Sequence, residues 1–66
     1  MANYYVNRNA QANGDHEVHK EGCQWMPSNR EYLGNYDSCQ PAVQKAKLLY
    51  PTADGCAYCC PACHKS

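Results

Sequence analysis

At 66 residues, with six Lys+Arg against six Asp+Glu, the chain is one small domain spanning 1–66 with a formal net charge of zero. That balance excludes a strongly basic surface that grips nucleic acid by neutralising phosphates. No apolar run approaches the roughly 20 residues needed to span a bilayer, so no membrane segment is expected.

A chain this short buries only roughly 60% of its unfolded surface and usually leans on a metal or on disulfides. Six cysteines are available for either. The N-terminus, Met1-Ala2-Asn3-Tyr4, carries no leader pattern. This predicts a cytoplasmic protein, where cysteine clusters favour metal. If the cysteines are instead disulfide-bonded, the chain is an exported one, and six cysteines then allow 15 connectivities.

In chain order, Tyr4-Tyr5-Val6 is β-prone and predicts a first strand. A polar stretch follows and ends in the turn signal Asn13-Gly14-Asp15. Glu17-Val18-His19-Lys20 alternates and predicts a returning strand. Gly22 then permits a sharp curl into Cys23. Trp25 and Met26 supply apolar bulk expected to lie over that curl. Arg30 to Tyr36 predicts a third strand, with Tyr32 and Tyr36 on one face and Leu33 on the other.

Asp37 or Ser38 suits a helix N-cap and Pro41 suits the first turn. Ala42, Val43, Ala46, Leu49 and Tyr50 recur at helical spacing, while Gln44, Lys45 and Lys47 point away. Pro51 stops the helix near Tyr50. Thr52-Ala53-Asp54-Gly55 predicts a turn delivering Cys56. Cys56, Cys59, Cys60 and Cys63 then fall at i, i+3, i+4 and i+7, one face of a short helix, although Pro61 sits against a long regular one. The fold class expected is α+β: a short antiparallel sheet, one main helix and a Cys-rich C-terminal turn or short helix.

The chemistry concentrates in two chelating pairs, His19-x3-Cys23 and Cys56-x2-Cys59. Thiolates and neutral imidazole suit Zn2+, and structural tetrahedral sites are commonly built from two such pairs. Four protein ligands leave no open coordination position, so the metal expected is structural and the chain is not expected to be an enzyme. The competing reading is a disulfide-stabilised or thiol-redox small protein without metal. Cys39, Cys60 and Cys63 remain outside the four. Cys39 begins a helix, where a thiol's pKa is lowered; it is either a reactive thiol or a disulfide partner of Cys60 or Cys63. His64 and His16 are alternative ligands. Lys20, Arg30, Lys45, Lys47 and Lys65 would support nucleic-acid binding if they gathered on one face, so that function is carried as a less favoured alternative.

Val18-His19-Lys20-Glu21-Gly22-Cys23-Gln24-Trp25, then Asn29 to Gly34, then Ser38-Cys39 leading into Ala42 to Ala46, then Asp54-Gly55-Cys56-Ala57-Tyr58-Cys59 together resemble the small Ada-type metal-binding domain. The resemblance covers about residues 17 to 60. It implies a strand ending in the first ligand, a cysteine three residues later, an intervening strand and helix, and a closing Cys-x2-Cys. In the methyl-phosphotriester repair protein of that family the first pair is Cys-x3-Cys, and a zinc-bound cysteine accepts a methyl group from DNA. His19 occupies the first position here, as in the non-repair relatives, so methyl transfer is not expected. A protein partner meeting Trp25, Tyr32 and Tyr36 is the interaction this reading favours.

Overall fold

The computed structural model describes residues 1–65. The chain forms β1 (Ala2–Asn7), β2 (His16–Lys20), β3 (Arg30–Tyr36), α1 (Cys39–Leu49), β4 (Ala53–Gly55) and a 3-10 turn at Pro61–Cys63. The four strands make one sheet in the order β3-β1-β2-β4. β1 pairs antiparallel with both β2 and β3, whereas β4 runs parallel to β2. The α+β class expected from the sequence holds, with a mixed sheet in place of a purely antiparallel one.

The β1–β2 connection is closed by backbone bonds from Gln11 to Asp15 and from Gly14 to Gln11. The Asn13 side chain also accepts from the Asp15 N–H at 3.0 Å, an Asx turn. Parallel pairing of β4 follows from α1, which carries the chain across the sheet from the β3 edge to the β2 edge. A parallel partner needs such a crossover. Thr52–Gly55, expected as a turn, is therefore mostly strand, and all three β4 residues are buried.

Val6 and Val18 sit opposite each other in the β1–β2 register and are completely buried. Ala42 and Ala46 cover them from α1, also completely buried, with Tyr4 and Leu33 beside them. The helix face that packs is Cys39, Ala42 and Ala46. This is a narrow stripe of small side chains, so the expected core residue Leu49 stays about half exposed (47%). Side chains this small bring the helix close to the sheet, but they remove little apolar surface from water.

β3 departs from simple alternation. Tyr4 faces Gly34 and Tyr5 faces Tyr32, which leaves Leu33 as the extra residue of a bulge. The bulge breaks the period of two. Tyr36 thus packs near Tyr4, at 6.3 Å between ring centroids, against the core. Tyr32 lies with Tyr5, at 5.3 Å, on the opposite face and is exposed. The expectation that Tyr32 and Tyr36 share a face is corrected on this ground.

A disulfide joins Cys39 at the start of α1 to Cys63 in the 3-10 turn. Of the two partners open to Cys39, Cys63 is the one used; Cys60 is a buried free thiol. Gly55 makes the bridge sterically feasible. A Cβ there would lie 2.6 Å from Cys63 Cβ and 2.9 Å from the Cys60 carbonyl oxygen, closer than non-bonded atoms approach. The C-terminal segment is pinned further by Asp54, whose carboxylate accepts the Lys65 N–H at 3.1 Å. No helix among the described residues is long and apolar enough to cross a membrane.

Candidate metal centre

Two curled segments meet at the end of β2. The first follows Lys20: the Cys23 N–H donates to the Lys20 carbonyl at 3.0 Å, and the Met26 N–H to the Cys23 carbonyl at 3.1 Å. Gly22 allows this curl with φ +93°, a region that side-chain-bearing residues rarely enter. The second follows β4. Cys56 donates its N–H to the Val18 carbonyl at 2.9 Å, and the chain then turns so that Cys60 N–H reaches the Cys56 carbonyl at 2.9 Å. No regular helix forms from Cys56 to Lys65: Cys56, Cys59, Cys60 and Cys63 do not share one helical face, because the turn ends at Pro61 and restarts as a 3-10 helix.

This arrangement gathers His19, Cys23, Cys56 and Cys59, whose ligand atoms all lie within 4.8 Å of one another. The cluster could hold a metal ion. Its donor set, one imidazole and three sulfurs, fits a borderline-soft divalent ion. Tetrahedral zinc with such donors spaces them about 3.6–3.8 Å apart. His19 Nδ1 lies 4.0 Å from Cys59 Sγ. His19 and Cys56 are buried, at 1% exposure each, and Cys23 and Cys59 are half-buried.

The surrounding shell is organised around the same four atoms. Strand alternation puts Glu17 on the side of β2 that carries His19. The Glu17 carboxylate lies 3.4 Å from His19 Nε2. A carboxylate at that distance favours the proton on Nε2 and leaves Nδ1, the nitrogen nearer Cys59 Sγ, for a metal, as carboxylates behind histidine ligands do. The Lys20 N–H donates to Cys59 Sγ at 3.2 Å and the Tyr58 N–H to Cys56 Sγ at 3.4 Å. Backbone donors aimed at sulfur stabilise a thiolate.

Burial acts on His19 and on two of the thiols, Cys59 and Cys60. Burial lowers the pKa of His19 below its ordinary 6.5, opposed by Glu17, so the imidazole is neutral and ready to bind at neutral pH. Burial raises the Cys59 thiol far above its ordinary value; the Lys20 N–H opposes this, while Cys23 and Cys60 add to it. Cys60 is likewise raised, chiefly by burial. Deprotonating a thiol buried as Cys59 is needs a cation to compensate it, which a bound metal supplies.

The other sequence candidates lie outside the cluster. Cys60 Sγ is 3.7 Å from Cys59 Sγ but is fully covered. Cys39 and Cys63 are spent in the disulfide. His64 Nδ1 donates to the Gly55 carbonyl at 3.0 Å and lies 3.4 Å from the Asp54 carboxylate. His16 Nδ1 contacts the Asn7 carbonyl at 3.0 Å, and its ring stacks on Tyr50 at 4.1 Å.

Sequence reasoning did not pick out Glu17, although its position two residues before His19 in a strand was the available signal. It also missed Tyr58. Trp25, expected over the site, stands beside it with 54% exposure, and its ring centroid lies 5.4 Å from that of Tyr58. Comparison with known protein families, curated proteins and solved structures finds no match to this chain.

Proposed function

We propose that this chain is a small binding module whose fold is closed by a structural zinc ion held by His19, Cys23, Cys56 and Cys59. The observation that carries the reading is the convergence of these four donors within 4.8 Å. The Glu17 contact behind His19 and the two backbone N–H···S bonds support it. Zinc suits three thiolates and one imidazole better than harder ions do. With four protein ligands the ion lacks the open position that hydrolytic zinc uses, so its contribution is to stability.

The reading agrees with the Ada-type order of elements: a strand carrying the first ligand, a cysteine three residues on, a strand and helix, and a closing Cys-x2-Cys. His19 occupies the position of the first thiolate, and a zinc-bound imidazole is a poor methyl acceptor beside a zinc thiolate. The basic residues also argue for a partner other than nucleic acid. Arg30 lies over the Tyr5 ring on the outer face of the sheet, whereas Lys47 and Lys65 line a hollow between α1 and the C-terminal turn. A protein or small-molecule ligand meeting the exposed aromatic surface fits better. The Cys39–Cys63 bridge favours an oxidising compartment over the cytoplasm. There, coordination would shield the remaining site thiols.

Chelation in the presence of a reductant tests the reading. The amide dispersion of the NMR spectrum is expected to collapse when metal and disulfide are both removed. A chain that keeps its dispersion under both treatments refutes the metal-stabilised fold. Sub-micromolar, salt-sensitive binding to duplex or single-stranded DNA would instead move nucleic acid to first place.

A further inference from the structure

Beside the metal centre, on the side of β2 that carries Glu17 and His19, lies an open cavity of about 330 Å3. This is the lower end of the size range for small-ligand sites. Its floor is His19 and Cys56; Glu17, Trp25 and Tyr58 line it, with Gln11 beside them. Two of these side chains are not explained by folding. Trp25 is 54% exposed and Tyr58 73% exposed, and their rings lie against each other at the cavity's edge, 5.4 Å apart and tilted by 37°. Large aromatic surface left in water beside a cavity is a common sign of a binding site.

The cavity's charge says what such a site would take. Glu17 contributes a carboxylate, and no Lys or Arg lines the cavity. The metal cluster beneath adds to this when loaded, because the three thiolates of Cys23, Cys56 and Cys59 exceed the two charges of a divalent ion by one. The ligand is therefore a cation. Exposed aromatic surface beside a carboxylate favours a diffuse cation, whose methyl groups sit against the rings while the charge interacts with their quadrupoles. A bare ammonium keeps its water more tightly and gains less from such walls.

We propose that the Trp25–Tyr58–Glu17 cavity is a binding site for a methylated ammonium group, either a free quaternary amine or a trimethyl-lysine side chain. The proposal rests on the zinc reading for part of the cavity's negative charge. No covalent step is involved; the ligand exchanges its water for the two rings and the carboxylate.

The test uses the full chain loaded with Co2+, whose tetrahedral d–d absorption reports the metal site independently of the cavity. Tetramethylammonium and choline are titrated while Trp25 fluorescence and the Tyr58 and Trp25 NMR signals are followed. Saturable binding is expected, at least about five-fold tighter than that of 3,3-dimethylbutan-1-ol, the neutral carbon analogue of choline. Tyr58→Leu and Trp25→Leu, the latter read by NMR, should each weaken binding at least about five-fold with the Co2+ spectrum unchanged. Glu17→Gln, kept loaded with excess metal, should weaken it too.

A trimethyl-lysine peptide that binds more tightly than choline identifies a side-chain ligand; the reverse order identifies a free amine. Equal binding of the neutral analogue, or no saturation while the Co2+ spectrum is intact, overturns the cavity proposal alone. Absence of the tetrahedral Co2+ spectrum overturns the zinc reading instead.

Discussion

Replacing both bridged cysteines, Cys39→Ser with Cys63→Ser, separates the disulfide from the proposed metal centre. The bridge spans a sequence separation of 24. On the chain-entropy estimate, closing a loop of that size stabilises the folded state by about 3.5 kcal/mol. For a domain of this length each kcal/mol moves the melting temperature by roughly 4–8 °C, so the double variant should melt at least about 14 °C lower. The core gives little reserve, since Val6, Val18, Ala42 and Ala46 are all small. Thermal unfolding followed by circular dichroism, with wild type and variant at equal metal excess, measures the shift. The Co2+ absorption spectrum of the variant at low temperature should be unchanged, because no ligand of the cluster belongs to the bridge. A shift below about 5 °C would show that the bridge does not restrict the unfolded chain as argued. A lost Co2+ spectrum in a still-folded variant would show that the disulfide and the proposed metal centre are not independent.

Glu17→Gln removes the charge behind His19 Nε2 and should reduce metal affinity about ten-fold or more in competition titrations with a chromophoric chelator; an unchanged affinity would mean that Glu17 does not support the ligand. Gly55→Ala forces a methyl against Cys63 and the Cys60 carbonyl. Backbone must move, so a loss of about 3 kcal/mol in denaturant unfolding is expected, and a neutral result would contradict the packing. The metal-free chain should be most stable between its two titrations. His19 has a folded pKa below its ordinary 6.5, so the unfolded state binds the proton more readily and stability falls as pH drops below about 6.5. Cys59 has a folded pKa above its ordinary 9.0, so stability is lost as pH rises through that value. Chemical unfolding of the oxidised, metal-free chain at several pH values tests both arms, and a stability still rising above pH 9 would contradict the burial of Cys59.

The clustering of His19, Cys23, Cys56 and Cys59 was legible because it rests on the short spacing within each pair. Three residues between His19 and Cys23, with Gly22 before the cysteine, is enough to curl two donor side chains inward, and Cys56-x2-Cys59 does the same. Local pattern could not decide the partner of Cys39. Cys60 and Cys63 would share one helical face, and only the break at Pro61 buries the first as a thiol and turns the second toward α1. β4 escaped notice because Ala53-Asp54-Gly55 has no strand propensity of its own. It is a strand through its register with His16, Glu17 and Val18, a long-range fact. The bulge at Leu33 reversed the facing of Tyr36 for the same reason: its cause lies in the pairing with Tyr4 and Tyr5. Leu49 looked like core by periodicity, but the helix packs through Cys39, Ala42 and Ala46, and that stripe leaves it at the margin. The contact between Trp25 and Tyr58 joins two loops far apart in sequence and carries no local signal.

The intact mass of the untagged chain, measured under native and then denaturing conditions without reductant, tests the central claim most directly. The account predicts one zinc ion per chain in the native spectrum. On denaturation the zinc should be released, leaving a chain two hydrogens lighter than the fully reduced sequence because of the Cys39–Cys63 bridge. Alkylation of that denatured chain should then modify Cys23, Cys56, Cys59 and Cys60 and no other cysteine. A metal-free native mass in zinc-supplemented buffer, or a chain with further disulfides consuming Cys23, Cys56 or Cys59, would contradict it.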